Sequence, residues 1–219
     1  MTDFATAREN MVESQVRPNG ITDHRVIEAM AAVAREDFVP AARRAVAYMD
    51  EDIPLTGGHA PRCLIEAMAF ARLVNLAVIR PEDRVLQIGA ATGYGSAVLA
   101  RLAAEVVAVE SDPGLAAKAR DNLKSIGNVK VVEGPLEAGA PADGPFDVIL
   151  VEGQVADVPA QLIAQARDGG RVVAVVGETA MGRAYLWTVS GGKAAGRPAF
   201  DASVAELPGF SKRKPAFVF

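Results

Sequence analysis

The sequence predicts an α/β fold of the Rossmann-like kind: a mostly parallel sheet, finished by an antiparallel terminal hairpin and preceded by an N-terminal helical segment. Three observations predict it. From Pro81 onward, short valine-rich runs alternate with helix-length stretches, the pattern of a parallel sheet covered on both faces. The first of those runs passes directly into a small-residue loop, Gly89-Ala90-Ala91-Thr92-Gly93-Tyr94-Gly95, and then into a helix. Near the carboxyl end, residues 185–189 and 216–219 are apolar runs with no clearly periodic helix between them, and are expected to pair antiparallel.

Taken in order, residues 4–16 read as a polar-rich helix closed by the turn cluster Arg17-Pro18-Asn19-Gly20. Thr22 is the expected cap of a second helix, in which Val26, Ile27, Met30, Val33 and Ala34 fall at helical spacing, and Phe38-Val39-Pro40 ends it. His24, in the first turn of that helix, is expected at the surface. A loop rich in Pro and Gly, residues 52–61, leads to a third helix whose apolar face carries Leu64, Met68, Ala71 and Leu76. Strands are expected at 85–88, 106–109, 129–132, 148–151 and 172–176. Helices are expected at 96–102 and from Pro113, where proline's missing N–H suits a first turn. There is no internal repeat. The 219 residues suit one domain, 1–219, in which 1–80 form the helical and substrate-facing segment and 81–219 the cofactor-binding core.

Composition narrows the partners. With 23 basic against 27 acidic side chains and a net charge of -4, the chain does not look like a nucleic-acid binder. Its basic residues cluster only at Arg43-Arg44 and Lys212-Arg213-Lys214, short enough to be solvated faces. A single cysteine, Cys63, rules out an intrachain disulfide, and His24 and His59 lie far apart, so no metal site is expected. Cys63 itself, on an apolar helical face, reads first as a small core residue. No apolar run reaches membrane-spanning length and the amino terminus lacks a signal-peptide pattern, so a cytoplasmic protein with no membrane partner is expected.

The chemistry-bearing signals are two. Val85-Leu86-Gln87-Ile88 running into the glycine loop creates a crevice at a strand's carboxyl end, where small residues admit a ligand and a helix N-terminus offers N–H groups to an anion. For S-adenosylmethionine that anion would be the methionyl carboxylate. The competing reason for such glycines is tight packing, and the spacing is not G-x-G-x-x-G, which disfavours a nicotinamide dinucleotide oxidoreductase. Glu110 closes the next strand, where an acid can accept two hydrogen bonds from a ribose diol; the competing reading is a solvated strand-end carboxylate. These features reach an adenosyl cofactor and stop there.

Further residues carry a resemblance. Met11-Val12-Glu13-Ser14-Gln15-Val16, Gly20-Ile21, Asp23, Arg25-Val26-Ile27-Glu28-Ala29-Met30 and Phe38-Val39-Pro40 closely resemble the protein-L-isoaspartate O-methyltransferase family. So do Asp52-Ile53-Pro54-Leu55, Gly58-His59, the glycine loop with Tyr94, Pro145-Phe146-Asp147-Val148-Ile149 and Asp168-Gly169-Gly170-Arg171-Val172-Val173. The resemblance implies a Rossmann-like S-adenosylmethionine-dependent methyltransferase. Its acceptor would be a carboxylate of an isoaspartyl residue in a damaged protein or peptide, or a small acid instead. It implies that Gln87, Gly89, Ala90, Thr92, Gly93, Tyr94, Glu110, Ser111 and Gly134 line the cofactor, and that Gly58, His59, Cys63 and Ile65 face the substrate.

The sequence departs from the family pattern in four places. Cys63-Leu64-Ile65-Glu66-Ala67 stands where members carry T-I-S-Q-P, so Ile65 takes the place of the serine and no catalytic side chain is assigned. Gln87 replaces an acid at the end of the first strand, Ala91 replaces the loop's middle glycine, and Gly134-Pro135-Leu136 replaces G-D-G, with Glu133 beside it expected to point to the other face. These departures keep a second function open: a catalytically silent module of the same fold that binds the cofactor or a partner.

Overall fold

The computed structural model describes residues 3–58 and 61–210. Helix α1 (Phe4–Met11) begins at Asp3, whose carboxylate accepts from the N–H groups of Ala5 and Thr6, both at 3.1 Å. The chain then widens into a π-helical turn over Val12–Val16, so the expected helix runs its full length in two geometries, and the turn cluster after it tightens to 3₁₀ over Arg17–Asn19. Helix α2 (His24–Ala32) is capped by Asp23 rather than Thr22: Asp23 Oδ1 accepts from Arg25 N at 2.9 Å. His24 is exposed, as its place in the first turn suggests.

Residues 52–66 differ from expectation. Strand β1 (Ile53–Pro54) pairs antiparallel with β2 (Cys63–Leu64), so the stretch is pinned at both ends. Leu64 is therefore extended, and helix α3 begins three residues later (Ala67–Ala77). Its inward face carries Ala67, Phe70, Ala71, Leu73, Val74 and Ala77, leaving Met68 and Leu76 half-buried.

The sheet has seven strands: β3 (Arg84–Ile88), β4 (Glu105–Glu110), β5 (Val129–Glu133), β6 (Phe146–Val155), β7 (Ala166–Val176), β8 (Gly182–Ser190) and β9 (Lys193–Ala202). Their order is β5-β4-β3-β6-β7-β8-β9, parallel from β5 to β7 and antiparallel from there to β9. The antiparallel finish is as expected, but the partner of β8 is β9, and residues 216–219 lie outside the described residues. Helices α4 (Tyr94–Leu99), α5 (Pro113–Leu123) and the short α6 (Ala160–Ile163) make the crossovers.

Alternation along the strands feeds two apolar layers. Leu86, Ile88, Val107, Val109, Ile149 and Val151 face the layer under α6. Val85, Val106, Ala108, Val148 and Leu150 face α3, α4 and the amino-terminal helices, which thereby share one core with the sheet. The chain builds outward from β3 through β4 to β5, then returns to the other side of β3 as β6. That reversal puts a crevice at the carboxyl ends of β3 and β6. No helix among the described residues is long and apolar enough to cross a membrane.

Candidate cofactor and substrate site

The loop after β3 is held by the neighbouring strand: Gly89 N and Ala90 N both donate to Val109 O, at 2.9 and 3.0 Å. Gly93 precedes α4 with φ +95°, and a Cβ there would lie 2.8 Å from Leu123 Cδ1 on α5. This glycine is thus required by backbone conformation and helix packing, which corrects the expectation that ligand approach explains it. Ala91, at φ +52°, holds a conformation few residues with a Cβ adopt, and its N–H donates to Glu110 Oε2 at 2.7 Å.

Glu110 is fully buried, not solvated. Its Oε1 accepts from the N–H groups of Ser111 (2.9 Å) and Asp112 (3.0 Å), and its Oε2 accepts from Ala91 N and from Arg62 Nη2 (2.7 Å). Arg62 is 8% exposed and stands just before β2, fixed by Leu55 N to its carbonyl (2.8 Å) and by its own N–H to Thr56 Oγ1 (2.9 Å). Its Nε is buried without a hydrogen-bond partner among the described residues. The ion pair joins the segment expected to face substrate to the acid expected to face cofactor.

A second buried polar chain runs beside the loop. Ser96 Oγ donates to Gln87 Oε1, and Gln87 Nε2 donates to Glu152 Oε2, both at 2.5 Å. Glu152 sits near the end of β6, across the topological reversal from Gln87. Gly95 makes room for it: a Cβ at that position would lie 2.1 Å from Glu152 Oε2. Burial pushes the Glu152 carboxyl up to about 8, opposed by the Gln87 hydrogen bond and the charges of Arg35 and Arg62. Arg35, fully buried, donates to Ala47 O (2.8 Å) and Ile65 O (2.6 Å) and lies 4.8 Å from the centroid of the Tyr94 ring. Its Nη1 and the Tyr94 hydroxyl act on each other and have no other hydrogen-bond partner among the described residues.

The other expected residues divide. Gly134 lies by the crevice, its N–H donating to Glu110 O at 3.0 Å, while Glu133 points outward to Arg120 at 3.2 Å. Thr92 spends its hydroxyl on Phe38 O at 2.5 Å, and Tyr94 is buried against Phe38 and Phe70, so neither side chain lines the crevice. Gly58 is exposed and His59 lies outside the described residues. Cys63 is half-buried, its thiol pushed up chiefly by burial. Ile65 is 2% exposed and belongs to the core, which corrects the expectation that its side chain faces substrate.

Three contributors carried no signal in the reading of single motifs: Arg62, Arg35 and Leu207. The chain after β9 returns across the end of β6, with Gln154 N donating to Ala205 O (2.9 Å) and Leu207 N to Gln154 O (2.8 Å). This lays the Leu207 side chain over Gly89 and Gly153, 3.0 and 2.7 Å from where a Cβ would stand. A cavity of about 740 Å³ between α2, α4 and α5, lined by Arg25, Phe38, Ala97 and Asn122 among others, includes neither Glu110 nor Glu152. Buried polar groups, not that opening, mark the site.

The donor set fits an adenosyl amino acid. Glu110 supplies carboxylate oxygens suited to a diol where Arg62 Nη2 gives way, since four donors fill them, Arg62 Nε is a buried donor suited to a carboxylate, and Glu152 is a buried acid suited to a cation.

The chain is similar to known proteins over most of its length. The family model for protein-L-isoaspartate(D-aspartate) O-methyltransferase matches residues 6–194. The protein-L-isoaspartate O-methyltransferase of Koribacter versatilis is 39% identical over 188 residues, covering 85% of this chain and 83% of that protein. Its counterpart in Methanoculleus marisnigri is 42% identical over 172 residues, 78% and 77% of the two chains. A solved protein-L-isoaspartate O-methyltransferase matches with a TM-score of 0.82 at 25% identity, over 92% of this chain and 66% of that one. A Plasmodium falciparum structure described as a beta-aspartate methyltransferase in complex with S-adenosyl-L-homocysteine matches with a TM-score of 0.75 at 19% identity, a likeness of fold.

Proposed function

Because the chain belongs to the protein-L-isoaspartate(D-aspartate) O-methyltransferase family, we propose that it transfers the methyl group of S-adenosylmethionine to a carboxylate of an isoaspartyl residue in a protein or peptide. The observation that carries this reading is Glu110, buried at the end of β4 and tied at once to the glycine loop and to Arg62. S-adenosylmethionine supplies an electrophilic methyl group when bound. Glu110 would hold its ribose diol, with Ser111 and Gly134 alongside.

The rest of the work is positioning. A carboxylate acceptor with a pKa near 4 is already ionised at neutral pH, so no side chain need remove a proton. What the chain must do is align that oxygen and exclude water. The first task falls to the substrate-facing segment, which the Arg62–Glu110 ion pair pins to the end of β4. Leu207 is suited to the second, lying over the glycine loop. The family's serine is absent at Ile65, whose side chain lies in the core, so no hydroxyl from this position orients the acceptor, and one such missing contact typically costs on the order of 1–3 kcal/mol, or roughly ten- to a hundredfold in rate. Residues 1–80 and 81–219 act as one domain in this reading, supported by their common core. A cytoplasmic setting fits a chain with a single cysteine.

The test is transfer from labelled cofactor to an isoaspartyl peptide. The expected outcome is measurable but slow transfer. Cofactor binding without transfer to any isoaspartyl peptide would overturn the reading in favour of the silent module. Because Ile65 is buried, Ile65→Ser is expected to lower stability by about 2–4 kcal/mol without raising the rate, which unfolding and transfer measured side by side would show.

A further inference from the structure

We propose that Glu152 is the anionic partner of the cofactor's α-ammonium group, carrying at the end of β6 the charge that β3 lacks at Gln87. The assignment rests on the methyltransferase reading and deepens it.

Place comes first. Gln87 and Glu152 stand near the carboxyl ends of the two strands that flank the reversal of strand order, where open α/β sheets bind ligands. The two side chains are 2.5 Å apart, so an acid at one position reaches nearly the same point as an acid at the other. The hydrogen-bond chain is directional: the Ser96 hydroxyl donates to Gln87 Oε1, which turns the Gln87 amide N–H toward Glu152 Oε2. Glu152 is thereby presented as an acceptor, and Gly95 leaves the space it occupies.

Charge comes second. The groups that act on Glu152 are Arg35, Arg62, Glu110 and Tyr94. Glu110 has its two oxygens filled by four donors, one of them Arg62. Glu152 forms no ion pair among the described residues. It stays buried with its carboxyl raised to about 8, hence neutral at pH 7. Meanwhile Arg62 Nε is a buried donor without an acceptor among the described residues. A zwitterionic α-amino-acid group satisfies both deficits: its ammonium meets Glu152 and its carboxylate meets the Arg62 guanidinium. Glu152 gives up its proton to solvent as the cation arrives.

Titration calorimetry on the full chain tests this, with S-adenosylhomocysteine and, as a ligand lacking the amino-acid end, 5′-methylthioadenosine. Repeating it at pH 7 in two buffers of different ionisation enthalpy counts protons. Wild type is expected to release close to one proton per S-adenosylhomocysteine bound. Glu152→Gln should weaken that ligand at least tenfold, remove the proton release and leave 5′-methylthioadenosine unchanged. The double variant Gln87→Glu/Glu152→Gln should recover most of the lost affinity. Unchanged affinity in Glu152→Gln, equal losses for both ligands, or a double variant no better than the single one would each overturn the assignment. Absence of any binding by wild type would instead overturn the methyltransferase reading, and this assignment with it.

Discussion

Arg62 and Glu110 hold opposite charges out of water at 2.7 Å, with side chains 10% and 0% exposed. A buried pair of this kind is costly to break from one side, because the charge left behind stays desolvated. Glu110→Ala strands Arg62 and is expected to lower stability by about 3–5 kcal/mol, besides weakening the cofactor by up to about a hundredfold. Arg62→Met should cost less, since Glu110 keeps three backbone donors; urea unfolding of the two variants would reveal that asymmetry. Glu152 makes a pH prediction whose sign is fixed. Its carboxyl is raised in the fold from 4.5 to about 8, so the native state binds the extra proton between those values. The stability it confers is full below about pH 4.5 and is lost as pH climbs through about 8, with a slope of up to about 1.4 kcal/mol per pH unit. Glu152→Gln should flatten that decline in unfolding measured from pH 5 to 8. Glu110 was legible in the sequence because an acid ended a valine run just after the glycine loop. Glu152 ends Asp147-Val148-Ile149-Leu150-Val151 in the same way, yet only the strand order shows that this end lies beside Gln87. Arg62 could not be read, since its partner is 48 residues away.

Helix α4 and helix α5 meet at Gly93, where the first is only six residues long and is held by what it packs against. Gly93→Val combines an unfavourable φ with a clash against Leu123, and is expected to cost more than 3 kcal/mol of stability whether or not cofactor is present. A variant that unfolded like wild type but bound no cofactor would return Gly93 to the ligand. The chain after β9 sets a second test. Leu207 is 7% exposed over the glycine loop, so Leu207→Ala should cost about 2–3 kcal/mol and speed amide exchange at Gly89 and Gly153. The sheet strands were legible as valine runs, because a strand buried on both faces needs nothing else. Strand β9 was not, since most of its side chains are exposed. Its signal lay in Gly191-Gly192, both at positive φ, a pair suited to a two-residue hairpin turn. Leu64 misled because a two-residue pairing with Ile53, invisible to periodicity, keeps it out of α3.

At the scale of the whole molecule, the amino-terminal helices and the sheet close on one core, and the segment around Arg62 is clasped between them and the end of β4. This arrangement makes the helical lead segment part of the site rather than an appendage. On the proposed function, the clasp serves methyl transfer to an isoaspartyl carboxylate. Its most direct test compares two synthetic peptides that differ only in an isoaspartyl or an aspartyl linkage, with saturating labelled S-adenosylmethionine and the wild-type chain. Label entering the isoaspartyl peptide alone, and entering more slowly with Glu110→Ala at subsaturating cofactor, is the result predicted. Label entering both peptides equally, or neither while cofactor is bound, would contradict it.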